Sequence, residues 1–235
     1  MDSRPELTRD DLRELPSRVL RRGLPYKADL FVYDTADGPV VLKDYAAKRG
    51  IWRRLGVIGT GHEARALRAL SGLDGVPRFR GRPDRFCVAM TLLEGRKARR
   101  RELEPGRAEA VTQRLDRMVA EMHARGVVHL DLKHRSNLLI SEQDTPLVLD
   151  FESALCFNPA CRLGRLLLRA LGSIDRLAVL NWKRRLCPNT FSGPQMARAT
   201  WLHHLGGLWV PRALLDGLFE IMARRPPSRR ADDGT

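Results

Sequence analysis

The run VVHLDLKHRSNLLI, residues 127–140, constrains this chain more than any other stretch. It sets His129, Asp131, Lys133 and Asn137 between two short apolar segments of strand character. Strand pairing at both ends of such a loop holds its polar side chains at fixed positions. A further apolar segment, LVLD at 147–150, ends on another carboxylate, Asp150. One reading is a polar turn between two strands. The residue types allow a second, chemical reading.

The rest of the chain supplies the setting. Residues 1–20 read as a capped N-terminal helix with Thr8 or Asp10 near its start. LFVYD (30–34), the turn signal ADGP (36–39) and VVLK (40–43) read as a hairpin. HEARALRALSGL (62–73) has helical spacing, and FCVAMTLL (86–93) reads as a buried strand. Residues 107–125 give the clearest helix, its stripe made by Val111, Leu115, Met118, Val119 and Met122, with Gly126 at its end. Beyond Phe157 the pattern is helical, with LGRLLLRALGSIDRLAVLNW as its longest piece. The tail RRPPSRRADDGT has no apolar periodicity and is expected to be disordered. A strand-rich first third and a helix-rich remainder imply two lobes with a cleft between them.

Composition narrows the partners. With 42 Lys+Arg against 28 Asp+Glu the net charge is +14, which favours anionic partners or an arginine-solvated surface. Nucleic acid fits poorly: there is no recognisable binding motif, and aromatic residues make up 6%. Cys87, Cys156, Cys161 and Cys187 do not form a zinc-like set and read as free thiols. No apolar run approaches the ~18–20 residues of a membrane span. The first residues lack an apolar signal core, so the expected location is the cytosol.

Transfer of the terminal phosphoryl of a nucleotide needs a cation on the phosphates, carboxylates for a metal and a carboxylate against the attacking hydroxyl. HLDLKHRSN matches H-x-D-x-K-x-x-N, and LVLDFES places Asp150-Phe151 nineteen residues after Asp131. On these motifs the chain resembles the protein-kinase-like superfamily, over roughly residues 18–190. The shortened layout is similar to the small bacterial and RIO-type branches and to lipopolysaccharide-core kinases.

The resemblance implies an α+β, bilobal protein-kinase-like fold with a small β-rich N-lobe and a reduced helical C-lobe. It sets residues 1–17 as a helix or extension, 18–93 as N-lobe, 94–224 as C-lobe and 225–235 as tail. The implied cofactors are ATP and Mg²⁺, with Mn²⁺ as a substitute. Asp131 would orient the acceptor hydroxyl and Lys133 would meet the transferring phosphate. Asn137 and Asp150 would hold the metal, and His129 would pin the loop. PVVLK resembles V-A-I-K, so Lys43 would hold the α/β-phosphates, paired with Glu63. Met90 would back the adenine pocket, with backbone from Thr91 to Leu93 bonding the base.

Three features depart from the pattern. No G-x-G-x-x-G loop precedes Lys43, so phosphate cover falls to a loop around Gly23–Ala28, with Lys27. Glu152 stands where D-F-G has its glycine, which removes backbone freedom and adds a carboxylate. No A-P-E follows, so a regulated activation segment is not expected. The acceptor stays divided. A lipopolysaccharide-core or glycolipid sugar, reached from the inner face of an anionic membrane, suits the basic, leucine-rich helix, which also reads as a C-lobe core helix. A protein Ser/Thr suits Lys133. Aminoglycoside-type loops commonly lack that lysine and fit less well. The altered motifs leave a nucleotide-binding scaffold without turnover as a further alternative.

Overall fold

The computed structural model describes residues 6–100 and 103–188. The expected tail (225–235), His203, His204 and the rest of the expected C-lobe beyond 188 lie outside them.

Helix α1 (Arg9–Glu14) starts on a capping box. The Thr8 side chain accepts from the Asp11 amide, and the Asp11 carboxylate accepts from the Thr8 amide. The helix does not continue to residue 20 as the sequence pattern suggested. Leu15 is extended, as the residue before a proline prefers to be, and Pro16 ends the helix. The chain then forms β1 (Ser17–Arg21), an edge strand on β2 (Asp29–Thr35). A tight turn leads from β2 to β3 (Gly38–Asp44).

Helix α2 (Gly50–Ala69) begins twelve residues before the expected His62. Gly50, Gly56, Gly59 and Gly61 lower its intrinsic propensity, which hides its first half from a pattern reading. Packing explains one of them: a Cβ at position 56 would lie 2.2 Å from the ring of Tyr45. Strands β4 (Phe79–Gly81) and β5 (Cys87–Thr91) complete an antiparallel sheet in the order β1-β2-β3-β5-β4.

The period of two decides what each sheet face carries. Val40 and Leu42 of β3, with Cys87 and Ala89 of β5, point to one face, which Leu12 of α1 covers. Val88 and Met90 point to the other face and join the main core. Lys43 is on that inner face, since it pairs with Val88 in the register where Val41 pairs with Met90.

The second half is mostly helical. Strand β6 (Arg96–Lys97) leads toward α3 (Pro105–Ala124), whose buried stripe includes Val111, Leu115, Met118, Val119 and Met122. Gly126 follows with φ +83, and a Cβ there would lie 2.1 Å from the Phe157 carbonyl oxygen. Strands β7 (Val127–Val128), β8 (Leu138–Ile140) and β9 (Pro146–Val148) bracket the polar run. β8 pairs with both β6 and β9, and β7 pairs with β10 (Leu155–Cys156). Helix α4 (Arg162–Leu186) packs on α3 and buries Ala178, Val179, Trp182 and Leu186 in the main core. No described helix is long and apolar enough to cross a membrane.

Candidate active site

The loop after β7 is held from three sides. His129 is fully buried, and its Nε2 lies 3.0 Å from the Leu149 carbonyl oxygen. A carbonyl only accepts, so Nε2 carries the proton. Nδ1 is then free to accept from the Asp131 amide at 3.2 Å. The Leu149 amide donates to the Asn137 carbonyl oxygen at 2.9 Å. Leu149 therefore ties both ends of the loop to the residue just before Asp150.

Within the loop, Asn137 Nδ2 donates to the Asp131 carboxylate Oδ2 and to the Asp131 carbonyl oxygen, each at 3.0 Å. The Asn137 Oδ1 accepts from the Ser136 hydroxyl. Asn137 is buried, Asp131 half-buried and Lys133 exposed.

Helix α4 supplies the third hold, which the sequence reading did not identify. Asp175 is fully buried. Its Oδ2 accepts from the His129 amide at 2.7 Å, and its Oδ1 accepts from the Leu130 amide at 2.8 Å. His123 Nε2 also donates to Asp175, at 3.0 Å. One face-repeat later, Trp182 Nε1 donates to the Leu132 carbonyl oxygen at 2.8 Å. Asp175 is the sole acid in α4, and its spacing of seven from Trp182 puts both on one side of the helix. Those two facts were the available signal.

Across the cleft, Lys43 Nζ meets three carboxylates: Glu63 at 3.0 Å, Asp150 at 2.7 Å and Glu152 at 2.9 Å. The other Glu63 oxygen accepts from the Phe151 amide at 3.0 Å. The Tyr45 hydroxyl donates to Glu152. Burial alone would lower the Lys43 pKa, but Asp150, Glu152 and Glu63 outweigh it and hold the ammonium well above its ordinary value. Burial pushes Glu63 up to about 7, with Lys43 opposing and the two neighbouring carboxylates adding. Burial also acts to raise Asp150, but Lys43 wins and holds it below the usual carboxylate range.

Asp150 takes left-handed backbone angles, φ 65 and ψ 75, before a short 3-10 turn over Phe151–Ser153. Glu152 is not among the positive-φ residues, so the missing glycine is not needed for this conformation. Phe151 is fully buried, with its ring 4.7 Å from that of His129.

Met90 is buried in β5 on the inner face. Two of the three amides expected to meet a base are used inside the fold: Thr91 donates to Arg78 and Leu92 to Pro39, each at 3.0 Å. The Leu93 amide has no hydrogen-bond partner among the described residues. The loop between β1 and β2 is tied at its base, where the Gly23 amide donates to Asp29 and Lys48 bonds both Asp29 and the Gly23 carbonyl. The Lys27 ammonium lies 5.9 Å from the Tyr26 ring centroid.

The carboxylates of Glu63, Asp150 and Glu152 form an all-oxygen donor set, the kind a hard divalent cation takes. The Asp150 side chain is 46% exposed and so reachable from the cleft. Oxygen atoms of Glu63, Asp150 and Glu152 lie within 4.8 Å of one another.

The sequence model of a family described as phosphotransferase enzyme family matches residues 29–217. The probable SapB synthase of Streptomyces coelicolor is 36% identical over 112 residues, which take in 39% of this chain and only 12% of that protein. Two structures of the Rio2 kinase from Chaetomium thermophilum are similar in fold. One, an ADP/Mg²⁺-phosphoaspartate complex, has a TM-score of 0.51 at 18% identity, covering 82% of this chain and 66% of that one. The other has a TM-score of 0.52 at 20% identity, covering 79% and 62%. This chain thus spans just under two thirds of those kinase chains.

Proposed function

The chain belongs to the phosphotransferase enzyme family, and from that premise we propose that it transfers the γ-phosphoryl group of ATP to a hydroxyl acceptor with Mg²⁺. The kinase-type phosphotransferase class follows from the family and the fold. The observation that carries the finer reading is the meeting, through Leu149, of the Asp131–Asn137 pair with the Lys43–Glu63–Asp150 cluster.

Each group has a task. Asn137 Nδ2 fixes one oxygen of the Asp131 carboxylate, which leaves the other to accept the acceptor hydroxyl's proton as the new O–P bond forms. Lys43, held by its carboxylates, supplies positive charge to the α/β-phosphates, and Lys133 meets the transferring group from the exposed side of the loop. Mg²⁺ would be held by Asp150 and Asn137 Oδ1, and when bound it neutralises charge on the phosphates. Met90 backs the adenine pocket, and the Leu93 amide donates to the base.

The acceptor we favour is a sugar of a lipopolysaccharide core or glycolipid. The chain reaches the first residue of α4, Arg162, twelve positions after Asp150. That leaves little length for a peptide-docking segment. The basic, leucine-rich α4 and the net charge of +14 favour an anionic acceptor or surface. Lys133 supports a protein Ser/Thr as the second acceptor class.

The test is transfer from γ-labelled ATP with Mg²⁺ or Mn²⁺ to a lipopolysaccharide extract and to a generic protein substrate. Asp131→Asn is expected to abolish transfer while nucleotide still binds. Asp150→Ala is expected to weaken Mg²⁺-nucleotide binding itself. Label in the glycolipid fraction that Asp131→Asn loses supports the favoured acceptor, and label in protein replaces it with the second class. Wild-type turnover in both variants would sink the site assignment. Nucleotide binding without label in any fraction would point to a scaffold.

A further inference from the structure

Two stretches of this chain carry cations and no acid. Residues 15–28 hold Arg18, Arg21, Arg22 and Lys27, and residues 45–62 hold Lys48, Arg49, Arg53 and Arg54. The fold brings them together. Tyr26, in the loop after β1, lies beside Trp52 in the first turn of α2, with ring centroids 5.9 Å apart. Lys48 locks the base of that loop through Asp29 and the Gly23 carbonyl.

The face so formed is apolar and exposed among the described residues: Leu24 is 55% exposed, Tyr26 50%, Ile51 58% and Trp52 43%. Ile58 stands seven positions after Ile51, on the same side of α2, and is exposed too. The buried residues of α2 run from Gly56 to Leu67, so its first turn is not used by the core. Exposed aliphatic and Trp/Tyr side chains ringed by arginine and lysine are the composition of a segment that lies in a lipid interface.

We propose that this face, the β1–β2 loop with the first turns of α2, docks the protein on an anionic phospholipid bilayer. The cations complement the negative headgroups, and the aliphatic groups gain by burial at the acyl boundary. Single-stranded nucleic acid is the weaker occupant, because Leu24, Ile51 and Ile58 offer no ring on which a base can stack. The face flanks the end of the sheet that carries Lys43, since Asp29 pairs with Asp44 and Leu30 with Lys43. The β1–β2 loop is also the one expected to cover the nucleotide phosphates, so it would serve both nucleotide and lipid, but lipid binding itself needs no phosphoryl transfer and is read separately from it.

The experiment is co-sedimentation of the full chain with vesicles of phosphatidylcholine, with and without phosphatidylglycerol, at low and high salt. A single-stranded RNA oligonucleotide is the competing ligand. Binding is expected only with phosphatidylglycerol, weakening with salt. Ile51→Ser/Trp52→Ser and Arg49→Glu/Arg54→Glu should each lower it at least tenfold with an unchanged thermal midpoint. Leu163→Ser/Leu166→Ser, on α4, should leave it intact. If the Trp52 variant proves unstable, Leu24→Ser in the loop carries the same expectation. Wild type that stays in the supernatant at low salt overturns the proposal. So does binding that survives both face variants, or that is lost only with the α4 variant. RNA binding that displaces the vesicles and disappears with the same variants would assign the face to nucleic acid instead.

Discussion

One ammonium facing three carboxylates leaves the Lys43 cluster short of positive charge. Its shortage makes chemical sense at a site that takes up a divalent cation, because the metal then supplies the balance. Glu152 fits the same picture: it replaces a glycine without demanding glycine's backbone, and it adds an oxygen beside Asp150. The cysteines give a test of local electrostatics away from this site. Burial pushes Cys87 up to about 12 and Cys156 up to about 11, and it also raises Cys187. Cys161 is exposed at the start of α4, where the backbone amides of Gly164 and Leu163 hold its pKa below the ordinary thiol value. Since the thiolate is the reactive form, Cys161 gains reactivity at lower pH than an ordinary thiol, while Cys87 and Cys187, which are buried, and Cys156, which is half-buried, are held protonated. Alkylation at pH 8, read by peptide mass spectrometry, should mark Cys161 well before the other three. Labelling of Cys87 first in the folded protein would contradict this burial pattern.

At the scale of the element, α4 is the part that holds the backbone of the His129–Asn137 loop. Leu130 carries a positive φ of 67, an unfavourable conformation for a leucine, directly before Asp131. Asp175 holds it there by accepting from the Leu130 and His129 amides, and Trp182 fixes the next carbonyl. Asp175→Ala strands three donors, the His129 and Leu130 amides and the His123 ring N–H. At roughly 1–3 kcal/mol for a fully buried group and less for the two half-buried ones, we expect a loss of about 2–5 kcal/mol in urea unfolding. Asp175→Asn keeps one carbonyl acceptor and should lose less. Because the loop positions Asp131 rather than the nucleotide, either variant should depress kcat more than it raises KM for ATP. Equal loss in both parameters would make Asp175 a merely structural residue.

The whole molecule is joined across the cleft by the same polar groups. Lys43 to Asp150, Tyr45 to Glu152 and Glu63 to the Phe151 amide all connect the sheet-bearing part to the second half. On the proposed function, a nucleotide bound there with Mg²⁺ would stabilise both parts at once. At a hundred times its dissociation constant it adds about 2.7 kcal/mol, which for a chain of this size raises the melting midpoint by roughly 5–10 °C. Thermal unfolding with ATP and Mg²⁺ should show that rise in wild type and in Asp131→Asn, and little of it in Asp150→Ala. A rise of equal size in Asp150→Ala would remove that residue from the metal site.

What the sequence determined by itself is what short range decides. Side-chain identity and spacing in HLDLKHRSN and LVLDFES, and the period of two around Lys43, put the polar groups on a loop and an inner sheet face because both are set within a few residues. The apolar stripe of α3 and the helical run of α4 were legible for the same reason, since helical periodicity is local. Other features waited for the tertiary structure. Residues 17–21 become a strand only because β2 offers an edge, after Pro16 has ended the helix. The glycine at 56 inside α2 is explained only by the Tyr45 ring packed against it, where a Cβ would lie at 2.2 Å. Asp175 and Trp182 reach the loop from more than forty positions away in the chain, and the amides of Thr91 and Leu92 are taken by Arg78 and Pro39. Periodicity reports which side of an element is buried. Only packing decides what lies against it.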